Sequence, residues 1–368
     1  MVIKIRILDN VNRSRLKSVL QISVSLAVTL LCLFLAFRQI SFQQILASSN
    51  EINWWIVVLA SVMAILAIGL RAWRWQMILK PIKHLQFGKV FNFTMIGFMA
   101  NNIFPAHAGE LVRAYLMGRK TKTGFFSVSS TILIERLFDG VAIIVLLVII
   151  MLFIDGPNWL HYGSIAAAIT VLSALLLLGV LASNQSKLRV LLFRLLDLLP
   201  KKIKPKVRAK LDAFLYGLNM LKDWNTILPV IALSFLLWLF MGLTVYVILI
   251  SFPITNYVAI NMELLSLTTV ILLSLAVIIP SSPGYIGVTQ LVFITTFGLF
   301  TDPETIDGIV KSYILNGSII FNFTQYLPVT ILGIILLFKE GLSFKSLNVK
   351  KKSMTSKTLP TKVEIASE

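Results

Sequence analysis

Cysteine is almost absent from this sequence. Cys32 stands alone within an apolar run, so the chain can form no internal disulfide and no cysteine metal cluster. A thiol in that setting reads as a small apolar side chain. Acidic residues are also scarce, 16 against 34 Lys and Arg, and charged residues make up 14% of the 368 positions. A soluble domain carries about 25%. There is no P-loop, no serine nucleophile elbow and no His/Cys/Asp set with metal-ligand spacing. No metal and no cofactor is expected.

What is present is apolar. Hydrophobic residues are 57% of the chain, mean hydropathy is +0.86, and several runs approach the roughly 20 residues that cross hydrocarbon as a helix. The sequence predicts an all-α, polytopic integral membrane bundle. A net charge of +18 would suit a nucleic-acid binder, but most Lys and Arg sit between or beside apolar runs. That is the pattern of cytoplasmic loops, which also attract anionic lipid; nucleic acid is not an expected partner. The opening "MVIKIRILDNVNRSRLK" imitates a signal peptide. The run at 18–37 is too long for one and lacks a small-residue cleavage site after it, so an uncleaved first span is expected.

Charge then threads the chain. Lys4, Arg6, Arg13, Arg15 and Lys17 place residues 1–17 in the cytoplasm. Residues 18–37 exit to "RQISFQQILASSNEIN", read as a loop, and 53–73 return, with Trp54 and Trp55 at an interface. In "RAWRWQMILKPIK" the tryptophans suit a headgroup belt, so Arg71 and Arg74 read as interfacial anchors, with a lipid-headgroup clamp as the alternative. A spanning segment at 87–104 would put Arg113, Arg119, Lys120 and Lys122 outside. A re-entrant hairpin over about 87–125, entering from the cytoplasm, removes that conflict. Irregular polar backbone is tolerated at membrane depth only when buried in protein or lining a cavity.

The run "STILIERLFDGVAIIVLLVIIMLF" goes outward and 162–182 returns to a basic cytoplasmic loop at 183–226. Within that loop Leu211, Phe214, Leu215, Leu218 and Leu221 recur at helical spacing and predict an interfacial amphipathic helix. Residues 227–251 exit, a second re-entrant hairpin is expected at 263–300, and 312–338 leads to a polar tail, 339–368, expected to be disordered. The membrane domain thus covers 18–338, with six full spans and two broken hairpins. Both termini lie in the cytoplasm of a protein of the plasma or inner membrane. An ordinary eight-span bundle is the alternative. Discontinuous helices entering from opposite faces point to a substrate site in transporters.

Three stretches carry candidate chemistry. In "NNIFPAHAGELVRA", Pro105 and Gly109 permit a break and restart, and Glu110 suits the positive start of the new helix. Arg113 is three residues on, where it can pair with Glu110 or hold a lipid phosphate through its planar fork. His107 in the same break reads as a structural residue or a protonation switch. "ILIERLFDG" supplies Glu135, Arg136 and Asp139; the two carboxylates are four apart and share a helix face. Ionisable residues within a span are costly and point to function, with Arg113 and Arg136 as candidate partners. In "IPSSPGYIG", Pro280, Ser281, Ser282, Pro283, Gly284, Tyr285 and Gly287 break a helix and free backbone amides, either as a bare turn or as an anion-facing restart. Thr289 and Gln290 extend its polar stripe.

"NNIFPAHAGELVRAYLMGRK", "STILIERLFDG" and "IPSSPGYIGVTQ", in this order, resemble the flippase-like membrane region of lysylphosphatidylglycerol synthases, also called multiple peptide resistance factors. The resemblance covers roughly 15–340. It implies that Gly109, Glu110 and Arg113, then Glu135, Arg136 and Asp139, then Pro283, Gly284 and Gly287 fall on characteristic positions. In the full-length synthases this region moves aminoacylated phosphatidylglycerol outward, while a soluble domain performs the lysyl transfer. With only 339–368 after the last span, that soluble domain is expected to be absent and synthase activity is not expected. The leading expectation is a flippase-like transporter whose partners are membrane lipids with phosphate headgroups, phospholipid or polyprenyl-linked. The alternatives are a lipid-modifying membrane component, of lysyl- or glycosyl-transfer type, or a non-transporting scaffold for cell-envelope biosynthetic enzymes.

Overall fold

A computed structural model describes residues 27–37, 42–104, 108–154, 204–217, 223–276, 283–301 and 308–347, with isolated positions at 23 and between 158 and 194. The expected cytoplasmic start at 1–17, about half of the returning span at 162–182 and the tail beyond 347 lie outside these residues. Among the described residues the regular elements are all helices, with no strand. They comprise α1 Ala27–Phe37, α2 Phe42–Ser49, α3 Trp54–Leu79, α4 Phe87–Ile103, α5 Ala108–Thr121, α6 Phe125–Met151, α7 Lys204–Gly217, α8 Trp224–Leu249, α9 Met262–Ala276, α10 Val288–Phe300 and α11 Gly308–Lys339.

Local chemistry sets the helix starts. Asn53 caps α3 by accepting from Trp55 N at 3.1 Å, and Asp223 caps α8 by accepting from Asn225 N at 3.1 Å. Three helices, α3, α8 and α11, are long and apolar enough to cross a membrane. Their outer faces carry exposed Leu59, Leu66, Leu236, Leu243, Ile331 and Ile335, an apolar surface that a soluble monomer rarely shows on this scale. At 27 residues α6 is equally long but bears Glu135, Arg136 and Asp139. The arms at 87–125 and 263–300 divide into α4 and α5 (17 and 14 residues) and α9 and α10 (15 and 13). Each arm is shorter than the roughly 20 residues of a typical full crossing.

Two apolar cores stack along the helix axes. One gathers Val57 and Ala60 of α3, Leu146 and Ile150 of α6, Val245 of α8, Phe293 of α10 and Tyr313 of α11. The other gathers Ile68 and Trp75 of α3, Phe93 of α4, Val112 of α5, Val128 of α6 and Leu337 of α11. Along α6 the change of core falls between Phe138 and Ala142, and along α8 between Val230 and Trp238. Asp139 and Ser234 lie in those intervals and are both buried. The polar site occupies this seam.

Three expectations change. "RQISFQQILASSNEIN" is not simply a loop: α2 forms there and packs on α11, where Asn316 Nδ2 donates to Ile45 O at 3.0 Å and Ser48 Oγ at 2.6 Å. The packed domain runs past 338, since Leu347 is buried and Leu342 packs on the second core. The amphipathic helix is α7, docked on α6 with Leu215 buried and Leu211 and Phe214 against the same core; Leu218 and Leu221 lie outside the described residues.

Candidate functional site

The site begins with a close approach of α5 to α4. A Cβ on Gly109 would stand 1.9 Å from Gly97 O and 2.6 Å from Asn101 Oδ1, so no side chain fits there. Gly109 N instead donates to Asn101 Oδ1 at 2.7 Å, which satisfies one open amide at the start of α5. This approach sets Arg113, one turn on, against α6. Pro105 and His107, in the intervening break, lie outside the described residues.

Arg113 does not take the neighbouring Glu110 as its partner. Its guanidinium hydrogen-bonds Glu135 and lies over the ring of Trp75, 4.2 Å from the centroid. Trp75 is fixed in turn by donating from Nε1 to Thr131 Oγ1 at 3.0 Å. Glu110 reaches across to Arg136, with Oε1 3.1 Å from Nε. Of the two partners the sequence allows Arg113, Glu110 on its own helix and the carboxylates of α6, the structure pairs it with the second, while Glu110 takes Arg136.

Arg71 and Arg74 are not interfacial anchors. Arg74 is wholly buried and Arg71 nearly so. Arg74 Nη1 donates to Asp139 Oδ1 at 2.6 Å and to Ser234 Oγ at 2.7 Å, while Nη2 lies 3.3 Å from Glu135 Oε1. Arg71 Nη1 is 3.8 Å from Asp139 Oδ2, and its guanidinium lies 5.4 Å from the ring centroid of Phe98 and 5.8 Å from that of Trp238. Arg136 completes the cluster at 3.5 Å from Glu135 and 3.4 Å from Asp139.

Four guanidiniums therefore meet three carboxylates, leaving one positive charge in excess. Nε of Arg74 and of Arg113 are buried without a hydrogen-bond partner. A buried ion-pair network stabilises a fold little or not at all relative to apolar residues of the same volume. Stability alone is therefore a weak reason for this one.

The turn that follows the second break packs onto the first hairpin. The turn Pro283–Tyr285 packs against α4 and α11. Gly284 and Gly287 have φ of +79° and +88°, a region glycine enters freely. Tyr285 lies within electrostatic range of Glu110 and Arg136. Gln290 Oε1 accepts from Gly287 N at 2.7 Å and Thr289 Oγ1 donates to Tyr285 O at 3.0 Å, so both polar side chains serve the turn itself. Pro280, Ser281 and Ser282 lie outside the described residues.

The fold and this cluster define a helical membrane protein with an arginine-rich polar site where two interrupted helical elements converge. The chain matches the family described as the lysylphosphatidylglycerol synthase TM region over residues 22–333, and it belongs to that family. It is similar to a UPF0104 membrane protein of Methanocaldococcus jannaschii, 30% identical over 243 residues, covering 65% of this chain and 92% of that one. A UPF0104 membrane protein of Methanothermobacter thermautotrophicus is 24% identical over 257 residues, covering 66% of this chain and 74% of that one. No solved structure matches the chain.

Proposed function

We propose that this protein carries a phosphate-bearing lipid headgroup through the polar site between its two interrupted hairpins, as a flippase-like transporter. In this reading α4–α5 and α9–α10 are re-entrant, entering from the cytoplasmic and the outer side, and both termini are cytoplasmic. Arg113 and Arg136 hold the phosphate, Arg71 and Arg74 maintain the positive field, and Glu135 and Asp139 keep the guanidiniums aligned. The observation that carries the reading is the excess positive charge of a cluster built almost wholly inside the protein. Arginine suits the task because its fork meets phosphate bidentately. Interrupted helices facing one another are also the setting in which transporters bind substrate.

Liposomes reconstituted with the full chain and labelled phospholipids are the test. Transfer between leaflets is expected for at least one phosphate-bearing lipid, and Arg113→Ala is expected to lose most of it while Arg113→Lys retains part. No transfer across a lipid panel would sink the proposal. So would wild-type transfer by a folded Arg113→Ala variant.

A further inference from the structure

The seven ionisable side chains of the cluster are not equally committed. Glu135 faces Arg113, Arg74 and Arg136, and Asp139 faces Arg74, Arg136 and Arg71. Glu110 faces Arg136 alone among the described ion pairs. The side chains of Glu110 and Arg136 are 32% and 38% exposed, against 8% or less for the other five. Their contact is close at 3.1 Å, yet Arg136 Nε makes no aligned hydrogen bond. Charge holds this pair together, and direction does not.

We propose that Glu110 is an exchangeable counter-ion: it leaves Arg136 when a phosphate-bearing ligand arrives and returns when the ligand departs. This rests on the headgroup reading above and assigns Glu110 a role distinct from binding. Withdrawing one carboxylate raises the excess positive charge of the cluster from one to two, and a singly charged phosphodiester restores it. Glu110 is the carboxylate that can go, because leaving any other would strand several buried guanidiniums. It also stays favourably placed after leaving, in the first turn of α5, where the helix start favours a negative charge.

The test uses the full chain in detergent, titrated with dihexanoyl phosphatidylglycerol and, in a second arm, with inorganic phosphate. Glu110→Gln is expected to bind the lipid about fivefold more tightly than wild type, the scale of a half-exposed ion pair. Glu110→Asp stays near wild type, and Arg136→Gln abolishes the gain when combined with Glu110→Gln. A gain with lipid alone assigns the site to a headgroup carried on chains, and a gain with both probes assigns it to phosphate itself. Either supports the exchange, and no gain with either overturns it. A measurement on unaltered protein guards against a misfolded variant. With glutamate carboxyls labelled by carbon-13 and the Glu110 signal assigned through Glu110→Asp, that signal moves on lipid binding; an unmoved signal at saturation overturns the exchange. Liposome transfer separates the two proposals. Transfer without a Glu110→Gln gain defeats the exchange alone, and tighter binding without any transfer defeats transport alone.

Discussion

The two interrupted hairpins share an outline and differ in almost everything else. In α4–α5 the helices touch through glycine, Asn101 caps across the pair, and the returning arm delivers Glu110 and Arg113 to opposite charges on α6. In α9–α10 the hydroxyls turn inward. Ser266, Thr268, Thr269 and Thr296 each donate to the carbonyl four residues earlier, at 2.6, 2.7, 2.8 and 2.8 Å. Its only acidic or basic residue is Glu263, in the first turn of α9. A helix break thus supplies a position, and the chemistry comes from what the flanking arms carry. The first hairpin is built around its charges, and the second spends its polar groups on its own backbone.

The sharpest way to break this contrast is to unpair the charges. Arg74→Leu leaves Glu135 and Asp139 short of a buried partner and is expected to cost about 3–5 kcal/mol, read by thermal unfolding in detergent. Gly109→Val comes next, because its side chain would overlap the Gly97 carbonyl. A loss of about 3 kcal/mol or more is expected. Gly298→Ala in α10 meets nothing within 4 Å and is expected to be neutral or to gain up to about 1 kcal/mol. Equal losses at these two glycines would erase the distinction. Thr269→Val in the second hairpin removes a hydroxyl bonded only to its own helix, and a cost below about 1 kcal/mol is expected.

The smallest effect lies at the base of the first hairpin. Glu340 accepts from Asn92 Nδ2 at 2.8 Å and pairs with Lys120 Nζ at 3.3 Å. Burial pushes its carboxyl up, but these two donors outweigh burial and hold it below the usual carboxylate range. With the folded value lowered, its stabilisation is present above the unfolded value and fades as pH falls through the folded one. Glu340→Gln is therefore expected to unfold slightly earlier than wild type at neutral pH, by below about 1 kcal/mol given the exposed lysine. The gap should close in acid, and a gap that widens there would refute the assignment.

Much of this was legible in sequence, and the limits have physical causes. Apolar runs of near-spanning length mark α3, α8 and α11, and the proline and glycine of the two breaks mark the interruptions. Arg71 and Arg74 were misplaced because arginine beside tryptophan at the end of an apolar run has the composition of a headgroup belt. Their burial depends on Ser234, Glu135 and Asp139, which are distant in sequence. One signal was available: Arg71, Arg74, Trp75 and Ile78 fall on one helix face. That stripe is buried, while Trp73 beside it is exposed. Arg113 as a partner for the α6 carboxylates is legible from its place across the hairpin, but the pairing of Glu110 with Arg136 is not, because spacing along one helix is visible in sequence and the register of a facing helix is not.

Asn102 and Tyr326 exchange hydrogen bonds in both directions. Tyr326 Oη donates to Asn102 O at 3.0 Å, and Asn102 Nδ2 donates to Tyr326 O at 3.2 Å and to Thr330 Oγ1 at 2.9 Å. The ring of Tyr326 also packs against Gly284 of the second break, and Pro328 interrupts the α11 ladder two residues later. Tyr326 thus joins three parts of the fold on one side chain: the end of α4 ahead of the first break, the glycine turn of the second, and the stretch of α11 where proline removes a backbone donor. It is a rivet between the two hairpins that lies outside the charge cluster.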